Sequence, residues 1–220
     1  MNETRPASCM PHSCFCEEIR SDGIRQPANS VSSLAFVLVA ALVLYRGWNS
    51  HRTTASLFAL TLIFVGIGSA WFHATLSFTA QFFDVLGMYL IATLALVLSV
   101  GRCRRLTHAT MASAYLGMNA VLGSILFLAP AYRRWIFAAL LAPIIVFEIR
   151  DPARGRRFMV RAIAVMGIAF IIWILDFNRV LCSPSSLVQG HAAWHLLGAL
   201  AAWYLFLHYT RERHVNGRST

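Results

Sequence analysis

Seven long apolar runs dominate this sequence, at about 30–47, 55–75, 81–100, 108–128, 132–148, 158–177 and 187–208. Each is close to the roughly 20 residues a helix needs to cross a bilayer. The stretches between them are short, and none is polar and long enough to fold as a separate soluble domain. Composition agrees: 58% of residues are hydrophobic and only 13% charged, against about a quarter charged in soluble domains. The expected fold is an all-α membrane protein, a seven-transmembrane-helix bundle over 29–208. Residues 1–28 would form an extracytoplasmic segment and 209–220 a cytoplasmic tail.

The net charge is +10, and every basic residue is an arginine. In a soluble protein such basicity would suggest nucleic acid. Here the loops explain it. With the N-terminus outside, the inner segments carry twelve arginines: Arg46, Arg52, Arg102, Arg104, Arg105, Arg150, Arg154, Arg156, Arg157, Arg211, Arg213 and Arg218. The outer segments carry six: Arg5, Arg20, Arg25, Arg133, Arg134 and Arg179. This asymmetry predicts an outer N-terminus and an inner C-terminus, and no nucleic-acid partner is expected. Residues 1–28 contain Pro6, Pro11, Pro27 and three cysteines without an apolar core, so they do not read as a signal peptide. Arginine-only basicity and compact loops point to a bacterial inner membrane.

Polar residues inside the spans carry the functional signal. Ser69 and His73 lie near the end of span two, and Asp84 near the start of span three. Asp176 lies at the end of span six, and His191 and His195 at the start of span seven. In the expected topology all six fall at one depth, on the outer side. Intramembrane ionisable groups are costly and usually functional. Ser69 and His73 are four residues apart and share a helix face, as do His191 and His195. Two imidazoles at that spacing can grip one metal ion, and His73 can supply a third nitrogen. Three histidines leave the fourth tetrahedral position open to water, the arrangement of a catalytic zinc site. Such zinc lowers the pKa of its water to about 7. Asp84 would exchange protons with that water and with a leaving amine. Ser69 would donate to a developing oxyanion, and Asp176 would orient a ligand histidine from behind. The set suits hydrolysis of a lipid amide or ester.

Other polar residues read as packing or interface. Glu148 with Arg150 and Asp151 reads as an interfacial charge cluster. His51, His108, His208 and His214 read as solvated. Gly66 and Gly68 would let helices approach closely, and Trp48, Trp135 and Tyr209 fit interface belts.

The residues also carry a resemblance. "CEE" at 16–18, "NSVSS" at 29–33, "GIGSAWFHATLSFTAQFFDVLGM" at 66–88, "WILDFNRVLC" at 173–182 and "GHAAWHLL" at 190–197 resemble the alkaline ceramidases. That family lies within a superfamily of seven-span hydrolases that includes the adiponectin receptors. The resemblance implies hydrolysis of the ceramide amide to a sphingoid base and a fatty acid. It places the zinc ligands on His73, His191 and His195, and the catalytic serine and aspartate on Ser69 and Asp84. It also implies a disulfide between Cys16 and Cys182, with Cys9 and Cys14 left unassigned and a second bridge open. The eukaryotic relatives carry calcium near "CEE". Here Glu17 matches, but Cys14 and Ile19 stand where oxygen ligands belong, and Gln26 stands in place of an acid. Calcium needs six to eight oxygens and is not expected to bind. The Cys182–His191 loop is also short for the family.

Three functions follow. The chain hydrolyses ceramide or a related sphingolipid, or another lipid amide or ester, or it is a lipid receptor with structural zinc. Turnover lost in Asp84→Ala with zinc retained would separate enzyme from receptor. The membrane lipid is the expected partner in each case; the oligomeric state is open.

Overall fold

A computed structural model describes residues 5–10, 14–150 and 155–211, with side chains omitted at 149 and 150. The inner tail expected after Arg211 lies outside the described residues, as do Asp151, Arg154 and His214. Every element of more than one residue among the described residues is helical. They are α1 (Pro27–Ser32), α2 (Ala35–Gly47), α3 (Arg52–Thr75), α4 (Phe78–Arg104), α5 (His108–Leu128), a 3-10 turn at Pro130–Tyr132, α6 (Arg133–Arg150), α7 (Arg156–Phe177) and α8 (Gly190–Arg211).

Among the described residues, six helical segments are long and apolar enough to cross a membrane, with α1 and α2 together forming the first. The seventh rod, α8, has 22 residues, but His191, His195 and His208 dilute its apolar character. The first span was expected as one helix and is interrupted at Ser33–Leu34. The hydroxyls of Ser32 and Ser33 both donate to the Asn29 carbonyl, at 3.0 and 2.8 Å. Such back-bonding competes with the helical ladder and bends the helix.

Local chemistry sets the other boundaries. α3 stops where Leu76 turns left-handed at φ 50°. Ser77 then caps α4 by accepting from the Ala80 N–H at 3.3 Å. Thr107 caps α5 in the same way, at 3.2 Å. The main core joins α2, α3, α4 and α8 around Val43, Phe58, Leu62 and Phe206. A second core joins α4, α6, α7 and α8 around Tyr89, Phe137, Ala169 and Trp194. α5 packs along α4 and leaves Leu116, Val121, Phe127 and Leu128 exposed. Side chains of this kind suit lipid rather than water.

Helix ends meet in two places. At one end, which we call the site end, α3 and α7 finish and α4 and α8 begin. The N-terminal segment lies across it: Ala7 N–H donates to the Leu76 carbonyl at 2.9 Å, and Gln26 N–H to the His73 carbonyl at 3.0 Å. At the opposite end, Glu148, His208 and Tyr209 are buried. This corrects three expectations, since Glu148 was read as interfacial, His208 as solvated and Tyr209 as an interface residue. Glu148 accepts from Ser99 at 2.8 Å and Arg102 at 3.0 Å and pairs with His208 at 3.0 Å. Tyr209 donates to the Ala95 carbonyl at 2.9 Å.

Candidate metal centre

His73 occupies the last turn of α3, and His191 and His195 the first turns of α8. One ligand nitrogen from each lies within 4.8 Å of the others, and all three residues are buried. The Nε2 atoms of His73 and His191 are 3.2 Å apart. Two nitrogens on one tetrahedral zinc, each bonded at about 2.0–2.1 Å, would stand roughly 3.4 Å apart.

Hydrogen bonds on the far side of two rings fix which nitrogen is free. His73 Nδ1 lies 2.9 Å from Gln26 Oε1, while the same amide donates through Nε2 to the Glu17 carbonyl at 3.2 Å. An amide oxygen only accepts, so His73 Nδ1 carries the hydrogen and Nε2 keeps a lone pair. His195 Nδ1 lies 2.9 Å from Ser32 Oγ and 3.3 Å from Ser33 Oγ. Both hydroxyl hydrogens are already given to the Asn29 carbonyl, so these oxygens accept from His195 Nδ1–H. The Nε2 lone pairs of His73 and His195, with His191 Nε2 3.2 Å from that of His73, fit a nitrogen-bound divalent ion and are compatible with zinc.

Ser69 and Asp84 stand beside this group. Ser69 Oγ is 3.3 Å from His195 Nε2. Asp84 borders the same cavity as Ser69, with Arg133 on its wall. Gly68 permits the approach, because a Cβ there would lie 3.2 Å from the Phe83 carbonyl of α4. Gly66 does the same against α2, where a Cβ would meet Val37 at 2.8 Å.

Asp176 differs from expectation. It was read as orienting an imidazole, but its carboxylate touches main chain. Oδ2 accepts from His191 N–H at 3.0 Å and Oδ1 from Cys16 N–H at 3.1 Å. Asp176 therefore fixes the start of α8 and the N-terminal segment together. A Cβ on Gly190 would lie 2.9 Å from Asp176 Oδ2. Cys16 and Cys182 are disulfide-bonded, and so are Cys9 and Cys14.

The residues around Glu17 do not fit calcium. One Glu17 oxygen accepts from Ala28 N–H at 2.7 Å and the other from Asn29 N–H at 2.9 Å, capping α1. Cys14 is in a disulfide, Ile19 offers no side-chain ligand, and the Gln26 amide oxygen serves His73.

Spacing exposed the three histidines. It did not expose Gln26, Ser32, Ser33 or Phe15, whose ring stacks on His191 at 3.6 Å between centroids. Neutral polar residues at the start of an apolar run give no ligand pattern, and a loop phenylalanine gives none at all.

A cavity of about 980 Å³ begins at this centre, bordered by Ser69, Asp84, His191 and His195. It shares Phe36, Val65, Met88, Phe137, Phe170 and Trp194 with a deeper apolar cavity of about 290 Å³.

A family model described as Ceramidase matches residues 13–219. The chain belongs to the ceramidase family. It is 31% identical to an alkaline ceramidase of Caenorhabditis briggsae over 165 residues, covering 67% of this chain and 59% of that protein. Against an alkaline ceramidase of Caenorhabditis elegans the identity is 30% over 165 residues, with the same coverage. A Dictyostelium discoideum protein whose name includes the words alkaline ceramidase is 28% identical over 171 residues, 66% of this chain and 59% of its own. The chain thus spans 59% of the length of the curated relatives it matches. All three are eukaryotic, which leaves the bacterial inner membrane expected from arginine usage unsupported.

Proposed function

We propose that this chain is a zinc-dependent intramembrane amidase. It hydrolyses the N-acyl bond of ceramide or a related sphingolipid to a sphingoid base and a free fatty acid. The convergence of His73, His191 and His195 beside Asp84, at the polar head of an apolar cavity, carries this reading. When bound by the three Nε2 atoms, zinc supplies Lewis acidity and a water ionisable near neutral pH.

The chain's own residues supply the rest. The apolar depth of the cavity suits hydrocarbon chains and keeps bulk water from the scissile amide. Asp84 takes a proton as water attacks the amide carbon and delivers it to the leaving nitrogen, so the amine departs neutral. Ser69, 3.3 Å from His195 Nε2 and on the wall of the same cavity as Asp84, donates to the carbonyl oxygen as negative charge develops. Gln26 and Ser32 hold the rings of His73 and His195 in the required tautomer, and Asp176 holds the start of α8.

In the bilayer we place seven spans, with α8 as the last. The site end and residues 1–28 face away from the cytoplasm, residues 29–208 form the membrane domain, and 209–220 form the cytoplasmic tail. The arginine asymmetry supports this, as do two disulfides at the site end, which an oxidising compartment favours. The test is fatty-acid release from a panel of N-acyl sphingosines by purified full-length protein beside His191→Ala. Release by the wild type alone supports the proposal. Bound zinc without release from any member would overturn the substrate assignment.

A further inference from the structure

The three metal-facing histidines are not held alike. His73 is oriented through Nδ1 by Gln26, and His195 through Nδ1 by Ser32. His191 Nδ1 is buried with no hydrogen-bond partner among the described residues. Its backbone is fixed by Asp176, but no hydrogen bond among the described residues holds the ring from its Nδ1 side. A ligand ring free to turn would lose part of its metal affinity to conformational entropy.

Phe15 lies flat against that ring. The two rings are 3.6 Å apart between centroids and inclined by only 14°. The same phenylalanine meets His73 at 5.6 Å and Phe177 at 6.5 Å, and it borders the cavity beside Asp84. Its backbone is at φ 124°, a region that side chains other than glycine rarely occupy and that persists only where the surroundings enforce it. The enforcement is visible on both sides. Cys14 is bonded to Cys9, and Cys16 is bonded to Cys182 beyond α7. Cys16 N–H is further tied to Asp176. One carboxylate thus anchors both the backbone of His191 and the residue next to Phe15.

We propose that Phe15, clamped between two disulfide-bonded cysteines, is a positioning residue for His191. Its face fixes the imidazole plane, as hydrogen bonds fix the other two ligands. The inference rests on the metal reading of the histidine centre and goes beyond it, because it assigns a role to the N-terminal segment. Cys9–Cys14 then has a function at the metal centre: it restrains the strained residue that follows it.

The test uses full-length protein in detergent, loaded with Co²⁺ as a spectroscopic probe, and reads both metal affinity and the visible d–d bands. Four variants are compared with wild type: Phe15→Ala, Phe15→Leu, Phe15→Tyr and the pair Cys9→Ser with Cys14→Ser. Phe15→Ala is expected to weaken Co²⁺ binding roughly tenfold and shift the bands. Phe15→Leu, which keeps bulk without an aromatic face, should show the same shift even if the alanine variant fails to fold. Phe15→Tyr should restore both readouts, and the cysteine pair should move both in the alanine direction, by less. Wild-type affinity and bands in Phe15→Leu would overturn the role of Phe15, and an unaltered cysteine pair would overturn the clamp. Failure of the wild type to bind Co²⁺ would instead overturn the metal reading itself.

Discussion

The bundle buries two polar clusters, one at each end, and both contain histidine. At the far end, Glu148 neutralises the group: its oxygens are occupied by Ser99, Arg102 and His208. At the site end no carboxylate among the described residues hydrogen-bonds to the three imidazoles, and the Nε2 atoms of His73 and His191 face one another at 3.2 Å. The far cluster ties α4, α6 and α8 together. The site cluster opens on a cavity of about 980 Å³. A buried histidine that finds a carboxylate serves packing, whereas converging lone pairs without a counter-charge call for a cation.

Breaking the site cluster should abolish function and spare the fold. His191→Ala is expected to reduce fatty-acid release to background and remove tight zinc binding, with the thermal midpoint of the metal-free protein little changed. Asp84→Asn should lower kcat by about 10²–10⁴ while zinc content, measured by mass spectrometry, stays at the wild-type level. Equal loss of zinc in that variant would mean Asp84 is a ligand and not a proton carrier.

Breaking the far cluster should do the reverse. Glu148→Ala removes the carboxylate that meets Arg102 and His208, and breaking a buried pair in this way typically costs about 3–5 kcal/mol. A falling unfolding midpoint with unaltered zinc affinity would fit; loss of zinc at normal stability would break the comparison. The smallest expected effect sharpens it. Gln26→Leu removes the acceptor that fixes His73 and should weaken zinc binding by about 10- to 100-fold, with Gln26→Glu retaining most of the affinity.

The two ends also differ in how well sequence revealed them. His191 and His195 share a helix face by spacing, and His73 follows Ser69 by one turn, so the site end was legible from local pattern. His208 has no such pattern. Its partner Glu148 lies on another helix, and a histidine or tyrosine near a span end reads as interfacial. Tyr209 was misplaced for the same reason. Asp176 was recognised as a site residue, but its bonds run to the N–H groups of Cys16 and His191, and main-chain contacts leave no mark in side-chain spacing. The break at Ser33–Leu34 was hidden too, because an apolar run does not show that Ser32 and Ser33 bond back to Asn29. Gln26 was visible only as a departure from the relatives, and its bond to His73 requires α1 to be seen folded against α3.

The most direct test joins metal to turnover. Purified full-length protein is assayed for zinc content and for fatty-acid release from N-acyl sphingosine, first as isolated, then after chelation, then after zinc is returned. The expected result is one zinc per chain, hydrolysis lost on chelation, and hydrolysis regained on reloading. Undiminished hydrolysis by the zinc-free protein would contradict it.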